Sequence, residues 1–150
     1  MNVVTKAGLL AHAVAAGALV GALTHLAVVV WRTTQGKPRP RLLRLYPTLA
    51  AALWAAVFAL GSVLYPGYRV AVRAEYLDEH APAVSILFDV KENLATLMGP
   101  LLLAAWALTR GDAPPELARR TLPWVAYGLA AVAWFDLLAG LLVTSVRSVG

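Results

Sequence analysis

The sequence predicts an all-α integral membrane protein, a four-helix bundle built from two transmembrane helical hairpins that repeat in parallel orientation. Its 150 residues are 60% hydrophobic and 14% charged, a composition typical of membrane proteins rather than of soluble domains. The apolar residues form four segments, at about 7–31, 46–65, 82–109 and 122–146. A helix that crosses a hydrocarbon core of ~30 Å needs about 20 residues, so one transmembrane domain is expected over residues 1–150.

An internal repeat emerges when the chain is shifted by half of its 150 residues. The matching residues surround the first and third connections: Trp31, Thr34, Gly36, Pro40, Leu42 and Arg44 fall on Trp106, Thr109, Gly111, Pro115, Leu117 and Arg119. These matches predict two hairpins related by an axis along the membrane normal. The alternative is that two loops use the same turn chemistry, since turns reuse glycine and proline for local reasons.

The first segment is apolar from 7 to 31 and is interrupted only by His12, Thr24 and His25. A cleaved signal peptide is the competing interpretation, because Lys6 followed by an Ala- and Gly-rich run imitates the beginning of one. The apolar region of a signal peptide is only about 7–15 residues long. This run is longer, so we expect a retained helix that spans the membrane.

Basic residues are concentrated in the first and third connections. Together these two carry eight Lys and Arg side chains: Arg32, Lys37, Arg39, Arg41, Arg44, Arg110, Arg119 and Arg120. The opposite side carries five: Lys6, Arg69, Arg73, Lys91 and Arg147. Short loops rich in Lys and Arg stay in the cytoplasm. Both termini are therefore predicted to lie on the outer face of the cell (inner) membrane.

The second and third segments differ in how they begin and end. The second, 46–65, has no charge and is followed by Pro66 and Gly67. These two residues predict that the helix ends there, before a mixed-charge connector over about 66–81. Pro82 is suited to the first position of the third helix, where its missing N–H costs nothing. Gly99 and Pro100 predict a bend in the middle of that helix.

A polar cluster marks the start of the third segment. The charge-free part of this segment, 94–108, is too short to cross a ~30 Å hydrocarbon core, so polar residues must enter the membrane. On a helix, Asp89, Glu92, Asn93 and Thr96 form one stripe while Lys91 is expected to point elsewhere. Such a stripe has to face protein or a water-filled cavity.

Asp136 is the single charge of the fourth segment. The helical rise places His12 about 8 Å, Asp89 about 10 Å, and Glu92 and Asp136 about 15 Å from the outer ends of their segments. His25 lies near the cytoplasmic end instead. A site for a proton or small cation is therefore predicted in the outer half of the bundle: His12, Asp89, Glu92, Asn93 and Asp136. The candidate counter-charges are Arg69, Arg73 and Lys91.

Simpler interpretations exist for each of these residues. Asp136 is explained equally well as a neutral acid held by a hydrogen bond from Asn93 or Thr96. Asp89 and Glu92 are explained by a helix end that extends beyond the bilayer, where carboxylates complement the positive end of the helix dipole. Histidines on apolar helices are more often packed in the core or at the interface than bound to a ligand.

Several classes of function are excluded by the sequence. The chain has no cysteine, which removes thiolate metal sites, iron–sulfur clusters and covalently attached haem. Signatures of hydrolases, zinc proteases, nucleotide-binding loops and diiron bundles are missing. The net charge of +5 lies mostly in connections between apolar segments, so the bilayer rather than nucleic acid is the expected partner.

The remaining hypothesis is a non-enzymatic membrane protein that binds or passes a proton or small cation. It would act as a homo-oligomer or as a subunit of a larger membrane complex. No cofactor is predicted, and the identity of any metal ion is left open. The alternatives are a redox protein carrying haem b, with His12 or His25 opposite a ligand such as Met98, and a purely structural assembly factor.

Single cysteines test the predicted orientation, since the chain has none of its own. In intact cells, Gln35→Cys and Ala113→Cys are expected to be protected from an impermeant thiol reagent, because both lie in the basic connections. Ala81→Cys is expected to react. Labelling at Gln35→Cys and Ala113→Cys together with protection at Ala81→Cys would invert the orientation.

Overall fold

The computed structural model describes residues 3–111 and 114–147, and these residues form helices joined by short turns, with no strand among them. The four long helices are the first, Val3–Thr34, the second, Pro40–Tyr68, the third, Pro82–Arg110, and the fourth, Pro115–Val146. The predicted all-helical fold with four helices is thus confirmed. Three helices are long and apolar enough to cross a membrane: Lys6–Thr34, Pro40–His80 and Pro115–Val146.

The helices are arranged as a square. Each helix contacts two neighbours, and the diagonal pairs, first with third and second with fourth, do not contact. Short connections make consecutive helices antiparallel. The ends of the first and third helices, Thr34 and Arg110, therefore lie at one end, called the basic end here, and Val3 and Val146 lie at the other, called the terminal end.

The two turns at the basic end share the same local hydrogen bond and the same glycine conformation. Gly36 and Gly111 both have positive φ, +74° and +93°, the left-handed conformation that glycine adopts most easily after a helix. A threonine hydroxyl two residues before each glycine, on Thr34 and on Thr109, donates to the backbone oxygen of a tryptophan three residues earlier. Prolines then occupy the first position of the second and fourth helices.

The second helix does not end before Pro66, which corrects the sequence-based boundary. It runs without a break into a π-helical stretch, Arg69–Leu77, and a short helical turn, Asp78–His80. The wider π-helical turns pair each N–H with a carbonyl five residues back, as from Asp78 to Arg73. Val72 and Leu77 are completely buried. Their burial favours continuing the helix across residues that were predicted to form a solvated connector.

Two apolar clusters hold the bundle together. The larger, called the basic-half cluster here, draws on all four helices and includes Leu19, Leu23, Leu26, Met98, Leu102 and Leu129. The smaller, called the terminal cluster, consists of Val72, Leu77, Phe88 and Val143 with partly buried tyrosines around them. The described part of the first helix contributes nothing to the terminal cluster, so the first and fourth helices are not joined by an apolar core there.

Trp54 fixes the second helix against the third. Its Nε1–H donates to the backbone oxygen of Ala95 at 2.8 Å, and its ring lies against Gly99. A Cβ added at Gly99 would lie 2.8 Å from Cη2 and 3.0 Å from Cζ2 of the indole. The third helix continues through Pro100. The missing side chain at Gly99 thus lets the indole approach the backbone beside the proline.

Gly99→Ala is expected to destabilise the protein by about 1–3 kcal/mol, because the added methyl group overpacks a contact that cannot relax without breaking the Trp54 hydrogen bond. The free energy of unfolding in detergent measures this. Gly128→Ala is the matched control, since nothing lies within 4 Å of a Cβ at Gly128 and alanine favours the helix by up to about 1 kcal/mol. Equal stability of the two variants would contradict the proposed contact.

Candidate functional site

A cavity of about 610 Å³ lies between the two apolar clusters and is lined by side chains from all four helices. Leu19, Met98 and Ala133 belong to both the cavity wall and the basic-half cluster. Phe88 and Val143 belong to both the wall and the terminal cluster. Beside the cavity, the described part of the first helix contributes no residue to the terminal cluster.

Four ionisable side chains line this cavity: His12, Lys91, Glu92 and Asp136. They come from the first, third and fourth helices. The second helix has a glycine, Gly61, next to His12. A Cβ at Gly61 would lie only 3.3 Å from Cε1 of His12, so the missing side chain leaves room for the imidazole ring. The structure therefore places three of the residues predicted as a proton or cation site along one cavity, together with Lys91, one of the predicted counter-charges.

Lys91 enters the cavity, which corrects the expectation that it points away from the polar stripe. Its ammonium acts electrostatically on His12, Glu92 and Asp136. The side chain passes close to the fourth helix, where a Cβ at Gly140 would lie 3.3 Å from Cε of Lys91. A long aliphatic stem carries the charge past the helix surface, so periodicity alone does not fix where the ammonium lies.

Two buried polar atoms in the cavity lack a hydrogen-bond partner among the described residues: Nδ1 of His12 and Oδ1 of Asp136. A buried polar atom without a partner costs about 1–3 kcal/mol. The structure does not show the hydrogen bond that would hold Asp136 as a structural acid. Asn93 is exposed, and the hydroxyl of Thr96 donates to the backbone oxygen of Glu92 at 3.0 Å.

The cavity contains an ammonium and two carboxyls that do not form close ion pairs. The ion pairs found among residues 3–111 and 114–147 involve Arg73, Arg119 and Arg120. Lys91, Glu92 and Asp136 take part in none of them. The hydroxyl of Tyr65 lies near the Glu92 carboxyl. The side chains of the site are thus positioned around a shared space rather than bonded directly to one another.

Asp89 lies outside the cavity and is paired with Arg73. The two guanidinium nitrogens donate to its two carboxylate oxygens at 2.6 and 2.8 Å. Arg73 Nε is also 3.8 Å from Asp78, whose carboxylate accepts a hydrogen bond from Ser85. These contacts form a clamp between the π-helical stretch and the third helix. Arg73 is therefore paired with Asp89, and its side chain does not line the cavity.

The remaining candidates lie elsewhere. Arg69 is exposed and belongs to none of the ion pairs found in the described part of the chain. His25 is exposed near the basic end, where its Nδ1 lies 2.8 Å from the backbone oxygen of Gly21. The His25 ring stacks on Tyr46 with 5.6 Å between centroids. His25, Arg69 and Asn93 therefore do not contribute to the cavity.

Sequence periodicity contained a signal that identifies the cavity-facing side of the third helix. The wall residues of that helix are Phe88, Lys91, Glu92, Ala95, Thr96 and Met98. Each of these residues lies three or four positions from at least one other, so they share one face of the helix. The apolar members, more than the acidic ones, define this face, and Asp89 and Asn93 lie beside it.

The cavity brings together one imidazole, two carboxyls and one ammonium group. Among the residues that the structure describes, no three His, Asp or Glu side chains lie close enough together to hold one metal ion. Imidazole, carboxyl and ammonium groups can each bind or release a proton. In a cavity with apolar walls, the charge of each group strongly affects the others, because little water screens it.

Comparison with known proteins gives no further assignment. No protein-family model matches the chain, and no curated protein or solved structure is significantly similar to it.

Proposed function

We propose that the chain is an integral membrane protein whose four helices all cross the cell (inner) membrane, with both termini on the outer face. Large apolar side chains on the outside of the bundle support contact with lipid, among them Leu10, Val14, Val63, Leu97, Leu103 and Leu138. The third helix is the most polar of the four. Its Lys91 and Glu92 face the cavity and its Asp89 is neutralised by Arg73, as a helix that crosses a membrane requires.

The fold supports a further proposal, that the two hairpins are parallel repeats. The turns after Thr34 and Thr109 share a threonine hydrogen bond and a glycine with positive φ. Under the repeat, Asp136 corresponds to Gly61. The first hairpin thus has a glycine, packed against His12, where the second has a carboxyl that lines the cavity.

The proposed function is to bind protons and pass them through the cavity. The observation that carries this proposal is the presence of two unpartnered buried atoms, His12 Nδ1 and Asp136 Oδ1, in one cavity with the Lys91 ammonium. Burying such groups is costly unless something compensates for it. Binding a proton removes the charge of a carboxyl and so lowers the cost of burying it, and the positive charge of Lys91 keeps the total negative charge of the cavity low.

A proton fits this site better than a metal cation. Magnesium and calcium take six or more oxygen ligands, roughly at 2.0–2.6 Å, whereas the cavity offers two carboxyls separated from each other. The Lys91 ammonium also repels any cation that enters. The protein would perform this role as a homo-oligomer or as a subunit of a larger membrane complex, which the exposed apolar faces can accommodate.

Haem b is the second candidate, because His12 has an unpartnered ring nitrogen in a cavity of about 610 Å³. The alternative axial ligand, Met98, also lines the cavity but belongs to the basic-half cluster with Leu19. Leu19 lies about 10 Å beyond His12 along the first helix. His12 and Met98 are therefore poorly placed to face each other across one iron. A Soret band in the visible spectrum of the purified protein would favour haem over the proton site.

Asp136→Asn is expected to lower proton flux in liposomes by about tenfold or more, because the amide keeps the shape of the carboxyl but cannot bind or release the proton. Glu92→Gln is expected to lower it in the same way. Stability in detergent should change by less than about 1 kcal/mol, close to the value of an average interhelical hydrogen bond in membranes. Unchanged flux in both variants and in the double variant would contradict the proton role. The remaining hypothesis would then be a structural membrane assembly factor.

Two histidine substitutions on the first helix provide a second test, in which His12→Gln is the test variant and His25→Gln is its matched control. His12→Gln is expected to change the pH dependence of the flux, because His12 lines the cavity beside the charge of Lys91. His25→Gln is expected to leave it unchanged, because His25 lies near the basic end. A loss of pH dependence in His25→Gln but not in His12→Gln would place the proton path outside the cavity.

A further inference from the structure

The cavity is much larger than a proton site requires. A water molecule occupies about 30 Å³, whereas the cavity measures about 610 Å³. Most of its lining residues are apolar, and the ionisable ones are His12, Lys91, Glu92 and Asp136. Several of the lining residues are exposed, among them Phe58, Ser62 and Leu141. The cavity is therefore open to the outside of the bundle, and its apolar part can admit a small molecule.

Aromatic side chains form a large part of the cavity wall and offer surfaces on which a flat ring can pack. Five aromatic side chains line the cavity: Trp54, Phe58, Tyr65, Tyr68 and Phe88. The Phe88 ring is nearly parallel to those of Tyr65 and Tyr68, at angles of 4° and 13° with centroids 6.4 and 5.5 Å apart. Trp54 and Phe58 stack at 5.3 Å. Aromatic rings favour offset stacking on such surfaces.

The charges in the cavity favour a neutral polar group on the ligand. Formal charges are one positive, on Lys91, and two negative, on Glu92 and Asp136 when both are ionised. A carboxylate or phosphate would add another negative charge to this set, and its burial would be costly. A neutral oxygen can accept a hydrogen bond from Lys91, and a hydroxyl can also donate to the unpartnered Oδ1 of Asp136.

We propose that the cavity binds a neutral, lipid-soluble molecule with a flat ring that carries carbonyl or hydroxyl oxygens, the chemistry of the quinone and quinol class. The ring packs against the aromatic side chains of the wall, its oxygens face Lys91 and Asp136, and its alkyl tail leaves between the helices. The volume falls within the range of about 300–1,000 Å³ that is usual for small-molecule sites. This site goes beyond the proposed proton role and does not depend on proton transfer.

Trp54 provides a direct probe of binding, because it is the tryptophan that lines the cavity. In a variant that keeps Trp54 and has phenylalanine at the other four tryptophans, fluorescence is measured in detergent during titration with a decyl-substituted benzoquinone. Saturable quenching is expected. Decanoic acid, which has a similar tail and a charged head, is expected to compete weakly or not at all.

Ala16→Leu places a larger side chain in the cavity wall and is expected to raise the apparent Kd for the quinone at least about tenfold, or about 1.4 kcal/mol. Ala18→Leu is the matched control, since Ala18 is exposed on the same helix and does not line the cavity. Ala13→Leu, at a second wall position, serves if Ala16→Leu does not fold.

Three results would overturn the proposal. Quenching that does not saturate, or that the wall variants leave unchanged, would show partition into detergent rather than binding. Tighter binding of decanoic acid than of the quinone would identify an anionic lipid as the occupant. Because fluorescence reports binding in the absence of a proton gradient, a failure here is distinguishable from a failure of the proton-flux test.

Discussion

The ammonium of Lys91 is the charge on which the rest of the cavity depends. Two carboxyls and an imidazole line the cavity, and the ammonium of Lys91 is the positive charge that lies among them. The fourth helix leaves room for the lysine stem at Gly140, and the second leaves room for the His12 ring at Gly61. Small residues at these positions thus serve the polar site as well as helix packing.

The cavity lies between two regions in which the helices pack against each other. On one side the basic-half cluster packs all four helices together. On the other, the terminal cluster and the clamp of Arg73 with Asp89 tie the extended second helix to the third. Trp54 adds a contact between the same two helices beside Pro100. Near the terminal end, the described part of the first helix, which carries His12, lies outside the terminal cluster.

Much of the fold and part of the site could be predicted from the sequence. Four apolar segments predicted the helices, Pro82 predicted the start of the third, and the helical rise placed His12, Glu92 and Asp136 in one layer. The continuation of the second helix past Pro66 was missed, because local rules for proline take no account of the burial of Val72 and Leu77. The position of Lys91 was missed because a long side chain can reach a cavity that its neighbours define. Asp89 was predicted to belong to the site but lies outside the cavity. It is bound there by Arg73, which the continuation of the second helix brings close to it.

The most direct test of the account is a double-mutant cycle between Lys91→Met and Asp136→Asn, read as the free energy of unfolding in one detergent. Methionine keeps the length and apolar character of the lysine stem, and asparagine keeps the shape of the carboxyl. If the two groups interact across the cavity, removing the charge of Asp136 reduces the cost of removing that of Lys91, with a coupling of about 1 kcal/mol or more. Additive effects, within about 0.5 kcal/mol, would contradict the central role given to Lys91.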